Sequence, residues 1–157
     1  MLIGEEIIND AFNSWLEKYG FDARVKGLEP DFAWCPATDE IVYQLVSCER
    51  TDKMFMDYAY ELGLLYEIDV FWLGFLHELG HSESWYFIDE EDWDVPVFLE
   101  HDEDYYRLPR ETAATEWAVD FVNRHSDAVA ELTRIVGPAI RSFFEMNNIE
   151  EGDLYEG

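Results

Sequence analysis

The sequence predicts an α+β fold, and three observations indicate it. Apolar residues recur at helical spacing near the N-terminus and again in several segments of the C-terminal half. Between them lie two short runs rich in β-forming residues, separated by a turn. Apolar side chains make up 48% of the 157 residues, which is enough to bury a core. We therefore expect one domain over residues 1–157, with a polar tail over 150–157.

The N-terminal third is predicted to form a helix followed by a β-hairpin. Apolar side chains repeat every three or four positions over residues 5–19, and Gly20 follows where a helix C-terminal glycine is common. Residues 23–48 are expected to be extended. Their runs 32–35 and 41–46 favour strands, and the residues between them are typical of a turn.

The remaining chain is predicted to be mainly helical. Helices are expected over 52–65 and 69–82, and then an acidic, aromatic stretch without a sustained period spans 83–108. Pro109 occupies a favoured first-turn position of a helix that runs to Arg124. Further helices are then expected, one capped by Ser126 and ending near Gly137 and Pro138, and a short one ending near Asn147.

The charge balance restricts the class of partner. The chain has 10 Lys and Arg against 36 Asp and Glu, a net charge of -26. Such a surface repels phosphate backbones, so we expect no nucleic-acid binding, and anionic membranes are disfavoured for the same reason. Two interpretations of the acidity stay open: a solvated surface, or attraction to a basic partner, which includes imitation of DNA.

Cysteine content and hydropathy indicate the compartment. Cys35 and Cys48 are expected to be buried free thiols, with a disulfide across the hairpin as the alternative. The first residues lack the basic and apolar regions of a signal peptide. The longest apolar stretch, residues 70–76, is far too short to cross a bilayer. We therefore expect a cytoplasmic protein that does not associate with membranes.

The segment His77-Glu78-Leu79-Gly80-His81 carries the strongest chemical signal. Residues four apart on a helix lie about 40° apart around its axis, so both imidazoles can reach one metal ion. Glu78 would then lie beside the metal, where a base can take a proton from water. The alternative is a pair of surface histidines, but two of only four His fall in this pattern. Gly80 costs a helix about 1 kcal/mol relative to Ala, which indicates a close approach to its backbone.

A catalytic zinc site requires a third protein ligand and an open position for water. The candidates further along the chain are Glu111, Glu116, His101 and His125. Glu111 is preferred because it opens a helix in which Ala114 and Ala118 allow a second helix to approach closely. Glu116 lies near the opposite face of that helix. His125 ends it, where the helix dipole favours a cation.

These two motifs resemble those of the ImmA/IrrE group of small gluzincins. That group has HE-(I/L)-GH on one helix and E-x-x-A-N-x-F-A on the next, after an N-terminal helix and a β-hairpin. The resemblance implies a zincin-like fold, zinc as cofactor, His77, His81 and Glu111 as ligands, and Glu78 as the base. Thr115 stands where the group usually has Asn, and the chain has no helix-turn-helix domain.

The function expected from these residues is that of a zinc metalloendopeptidase acting on a protein or peptide substrate. An acidic rim over residues 89–104 would favour basic substrates. The candidate donors for the developing oxyanion are His101, Tyr105 and Tyr106, and the favoured alternative is that they serve only as aromatic residues of a loop. The alternative is a non-enzymatic acidic binder or DNA mimic, encoded by a phage or plasmid, on a zincin scaffold.

Overall fold

The structure, a computed structural model, describes residues 4–45, 47–87, 102–149 and 155–156. Within these residues it contains five α-helices and a small mixed sheet of three strands, so the predicted α+β class is confirmed. The chain forms two compact units, one of Met1–Glu49 with His125–Gly157 and one of Arg50–Arg124.

The first unit combines two helices with the sheet. Its helices are α1 (Glu5–Lys18) and α5 (Ser126–Asn147), and its sheet has the strands β1 (Arg24–Leu28), β2 (Ala33–Cys35) and β3 (Glu40–Tyr43). The hairpin of β2 and β3 is antiparallel as predicted, and β1 pairs parallel to β3, which the sequence did not predict. Two further short strands, β4 (Ser47–Cys48) and β5 (Tyr155–Glu156), pair in parallel.

The core of the first unit lies along α1. Four of the six apolar positions that predicted this helix are buried, whereas Ile7 is exposed and Ala11 is half-buried. The buried four are Ile8, Phe12, Trp15 and Leu16. The indole N–H of Trp15 donates to the carbonyl of Ala128 at 2.9 Å, which joins α1 to α5. The Asn13 amide accepts from the N–H of Val25 at 2.7 Å and donates to its carbonyl at 3.2 Å, and so it completes the pairing of an edge strand.

Helix α5 corrects the prediction of a break near Gly137 and Pro138. It continues through Pro138 to Asn147, although proline has no N–H to donate to the preceding turn. Val136 and Ala139, on either side, are both buried, and this packing offsets the lost hydrogen bond. Ser126 is the first helical residue rather than the cap, since the N-cap position belongs to His125, which makes no capping hydrogen bond with its side chain.

Every regular element described in the second unit is a helix. It contains α2 (Glu49–Glu61), α3 (Val70–Ser84) and α4 (Pro109–Arg124), with 3₁₀ segments at Trp85–Phe87 and Asp102–Arg107. Helix α2 begins three residues before the predicted 52–65. It also ends earlier, because Gly63 adopts a left-handed φ of 106° just after it. The Asp69 carboxylate caps α3 by accepting the N–H of Phe71 at 2.9 Å.

Two further expectations concern cysteine and membranes. Cys35 is an exposed free thiol, so its expected burial was wrong: strand β2 is short, lies at the edge of the sheet and turns this side chain outward. The side chain of Cys48 and the acidic residues 88–101 lie outside the described residues. In the part of the chain that is described, no helix has both the length and the apolar character that a membrane span requires.

Candidate metal centre

Helix α3 is apolar and largely buried, yet it carries three ionisable side chains on its buried surface. His77, Glu78 and His81 are 6%, 7% and 8% exposed. Burial of such groups is unfavourable unless they are paired with other polar groups or with a metal. Their burial rules out the alternative of two surface histidines and requires partners within the fold.

Glu111 of α4 is the common partner of both imidazoles. Its carboxylate Oε1 lies 3.0 Å from Nε2 of His77 and 3.2 Å from Nε2 of His81. Two ligands with bonds of about 2.1 Å to a tetrahedral zinc ion lie about 3.4 Å apart. The contacts of Glu111 with the two imidazoles are therefore close to the spacing between two zinc ligands.

Glu78 lies next to this cluster without being its closest carboxylate. The potential ligand atoms of His77, Glu78 and His81 lie within 4.8 Å of one another, so Glu78 could also be considered a ligand. However, its Oε2 is 3.9 Å from Nε2 of His77, whereas Oε1 of Glu111 is 3.0 Å from the same nitrogen. The geometry favours Glu111 as the ligand and leaves Glu78 beside the site.

A close helix crossing brings Glu111 to the histidines. A Cβ atom added to Gly80 would overlap the carbonyl oxygen of Ala114 and lie 3.1 Å from its Cα. Ala114 and Ala118 are fully buried in α4. The close backbone approach predicted from Gly80 is thus present, and the small residues of α4 allow it.

Thr115 fixes the orientation of the His77 ring. Its hydroxyl donates to the backbone carbonyl of Glu111 at 3.0 Å and lies 2.9 Å from Nδ1 of His77. Because a hydroxyl has a single proton, its oxygen accepts a hydrogen bond from Nδ1–H of the imidazole. Nε2 is thereby directed at Glu111, and metal-binding histidines typically have such a partner on the other ring nitrogen.

The electrostatics of the cluster favour a cation between these side chains. Burial alone would raise the pKa of Glu111, but its hydrogen bonds to the two imidazoles hold that pKa far below the usual range. Burial alone would lower the pKa of His77, but the hydrogen bond to Glu111 and the nearby Glu78 carboxylate raise it. The anionic Glu111 beside His77 therefore favours a positive charge at this point, which a proton or a divalent metal ion can supply.

Burial acts differently on Glu78. Desolvation raises the pKa of this carboxyl, against the lowering effect of the neighbouring imidazoles His77 and His81. A carboxylate with a raised pKa is a better proton acceptor near neutral pH than an ordinary glutamate. Glu78 therefore has the property that a general base requires.

Aromatic side chains form one wall of the cluster. The ring of Phe55 packs edge-on against His77 at 5.4 Å and against Tyr106 at 5.6 Å between centroids. The hydroxyl of Tyr106 donates to the backbone carbonyl of Thr51 at 3.5 Å. Tyr106 therefore lies in the aromatic wall beside His77, and its expected role as an oxyanion donor stays a prediction.

Tyr105 does reach the cluster. Burial raises the pKa of its phenol, and the charges of Glu111 and Glu78 and a hydrogen bond to Glu111 raise it further. Its side chain is 41% exposed, so it lies between the cluster and solvent. Of the three expected donors, Tyr105 is therefore the one placed at the site, and His101 lies outside the described residues.

The 3₁₀ segment Asp102–Arg107, which carries Tyr105, is attached to two helices. The hydroxyl of Thr112 on α4 donates to the carbonyl of Tyr106 at 3.1 Å and accepts from the hydroxyl of Tyr58 on α2 at 2.9 Å. The guanidinium of Arg107 lies 4.8 Å from the centre of the Tyr58 ring. This network holds Tyr105 next to Glu111.

Two of the candidate ligands predicted from the sequence are exposed and so do not belong to the buried cluster. Glu116 is exposed on α4, and His125 is exposed at the start of α5.

Arg110, whose Nε lies 3.6 Å from Oε2 of Glu111, was missed in the sequence analysis. Its position next to a proposed ligand was the signal that could have indicated it. Phe55 was also missed, because nothing in the sequence connects α2 to the histidine motif.

Comparison of the chain with protein-family models, with curated proteins and with solved structures finds no match.

The chemistry of His77, His81 and Glu111 indicates which metal they could hold. Two imidazoles and one carboxylate are a ligand combination that zinc takes in hydrolytic sites, with a further position left for water. The residues present therefore fit a zinc ion.

Proposed function

We propose that the chain is a zinc-dependent metallopeptidase with a zincin-like fold, as its resemblance to the ImmA/IrrE gluzincins implies. The observation that carries the proposal is the convergence of two imidazole nitrogens on one buried carboxylate oxygen of Glu111. His77, His81 and Glu111 would hold the ion. Zinc in such a site polarises a substrate carbonyl and lowers the pKa of a water molecule to about 7.

Glu78 is the proposed general base. Its carboxylate adjoins the ligands, 3.9 Å from Nε2 of His77, and burial raises its pKa. It would accept the proton of the attacking water and then deliver that proton to the leaving amine. The new C–O bond would form first, and the peptide C–N bond would break once Glu78 has delivered the proton to the nitrogen, so that the amine leaves as a neutral group.

Tyr105 is the proposed donor to the substrate. Its phenol adjoins Glu111, its raised pKa keeps it protonated at neutral pH, and its side chain is partly open to solvent. A protonated phenol at this edge can donate a hydrogen bond to the oxyanion that develops on the substrate carbonyl. The network of Tyr58 and Thr112 would hold the segment in place during this step.

The second candidate function is an acidic binder or DNA mimic on the same scaffold, and the net charge of -26 favours it. Glu78 and Glu111 are 7% and 3% exposed, so neither contributes to an acidic docking surface. A binder does not require this buried donor set. The peptidase proposal accounts for this donor set. The two functions can be distinguished because only the peptidase requires a bound metal.

Metal analysis tests the proposed function. Protein purified without added metal, or incubated with zinc and desalted, should hold about one zinc per chain. Glu111→Gln and His81→Ala should lose it, whereas Glu116→Gln, an exposed carboxylate change on the same helix, should retain it. Wild-type protein that neither contains nor takes up zinc would overturn the proposal and leave the acidic binder as the remaining function.

A further inference from the structure

The two carboxylate oxygens of Glu111 have different neighbours. Oε1 faces the imidazoles of His77 and His81 at 3.0 and 3.2 Å. Oε2 faces Nε of Arg110 at 3.6 Å. The carboxylate is thus oriented with one oxygen toward the candidate metal centre and the other toward a guanidinium.

This orientation is not set by the glutamate itself. The last torsion of a Glu side chain is broad and nearly two-fold, so without a second contact the carboxylate could present either oxygen or both. A guanidinium is a planar, permanently charged group that suits a carboxylate partner. The Arg110 side chain is 30% exposed and that of Glu111 is 4% exposed, so the pair lies at the margin between the buried cluster and solvent.

We propose that Arg110 is a positioning residue that holds Oε2 of Glu111, so that the glutamate presents Oε1 alone to the metal. The proposal rests on the proposed zinc site. It assigns Arg110 no direct contact with the metal or the substrate. Glu111 also contributes to the raised pKa of Tyr105, and Tyr105 is retained in every variant below.

Two effects of Arg110 on metal affinity have opposite signs, which makes the proposal testable. As a positive charge near a divalent cation, Arg110 disfavours metal, and for a partly exposed group this changes affinity about fivefold at most. As a group that orients a ligand, it favours metal, and loss of such partners typically weakens binding about 10–100-fold. Removal of Arg110 therefore weakens binding if it positions Glu111 and strengthens binding if it only repels the ion.

The experiment compares Arg110→Met, Arg110→Lys and the control Arg124→Met in the full chain. Arg124 lies on the same helix and pairs with Asp120 at 2.7 Å on the exposed face, away from the site. Zinc affinity is measured by competition with a chelating dye. The visible absorption of bound Co²⁺ reports the coordination number, because four-coordinate Co²⁺ absorbs more strongly than five-coordinate Co²⁺.

Arg110→Met should weaken zinc binding about tenfold or more and reduce the Co²⁺ absorption, because the second oxygen of Glu111 joins the shell. Arg110→Lys should recover part of the affinity, and Arg124→Met should match wild type. Unchanged or tighter binding by Arg110→Met, with a wild-type Co²⁺ spectrum, overturns the role of Arg110 alone. Failure of wild type to bind either ion overturns the zinc site as well. If Arg110→Met does not fold, Arg110→Gln takes its place and the same criteria apply.

Discussion

The backbone of Ala114 occupies the space in which a side chain on Gly80 would lie, since an added Cβ would overlap its carbonyl oxygen. Gly80 lies between Glu78 and His81 of the proposed site on α3, and Ala114 lies one helical turn after Glu111. The separation of α3 and α4 at this crossing therefore determines whether Glu111 reaches the histidines.

Gly80→Ala should push α4 away and weaken the metal site. Ala favours a helix by about 1 kcal/mol over Gly, but overpacking against backbone costs typically 1–3 kcal/mol, so we expect net destabilisation. Urea unfolding and zinc competition would measure both effects. The matched control is Gly137→Ala in α5, where the added Cβ meets only the Arg141 side chain at 3.5 Å and should stabilise the protein. Equal effects of the two changes would contradict the account of the crossing.

Thr115→Val should weaken zinc binding with little change in shape. Valine is nearly isosteric but cannot accept the Nδ1–H of His77, which loses its buried partner. We expect about 1–3 kcal/mol lower stability and about 10–100-fold weaker zinc binding. Thr115→Asn restores an acceptor and should recover much of the affinity.

The control for this change is Thr133→Val. The hydroxyl of Thr133 also donates to a helix carbonyl, that of Val129 at 3.2 Å, but it contacts no imidazole among the contacts described. Zinc binding by Thr133→Val should equal that of wild type. If Thr115→Val binds zinc as tightly as this control, the hydroxyl does not orient His77.

Glu78→Gln should retain zinc and lose peptide cleavage. Glutamine keeps the size of the side chain but cannot accept a proton, so the rate should fall at least about a hundredfold. The assay is cleavage of a mixed peptide library, read by mass spectrometry, with both proteins loaded with zinc to the same content. Cleavage by the variant at the wild-type rate would show that another group is the base.

Pro138→Ala should stabilise the protein. Pro138 is exposed within α5, so alanine leaves no cavity and supplies the missing N–H of the helix. Proline in a helix interior costs about 3 kcal/mol, of which about 1 kcal/mol is offset by the entropy that proline removes from the unfolded chain, so we expect a gain of roughly 2 kcal/mol. Thermal and urea unfolding would measure it. A loss of stability would show that α5 is bent at Pro138 in a way that its packing requires.

The sequence predicted those parts of the fold that depend on local patterns. The start of α4 follows from Pro109, and α3 follows from the apolar run over residues 70–76, although the predicted range placed Asp69 inside the helix rather than at its cap. The histidine pair could be read from its spacing of four residues, and Gly80 indicated a close backbone approach that the structure contains.

The parts that were missed depend on tertiary packing. Local signals at Pro138 indicated a helix end, but the buried residues Val136 and Ala139 hold α5 together. The parallel pairing of β1 with β3 joins segments that no local pattern connects. The proposed role of Arg110 was also missed, because it depends on the orientation of the Glu111 carboxylate, which only the tertiary structure shows.

Every side chain proposed to face the metal belongs to the unit Arg50–Arg124. By mass action, a metal that binds only the folded form adds stability to the segment that must open to release it, about 2.7 kcal/mol at a free concentration of 100 times Kd. Backbone amides of α3 and α4 that exchange through such opening should therefore slow by about two orders of magnitude on metal loading. Amide exchange can thus detect occupancy of the site before any substrate is known.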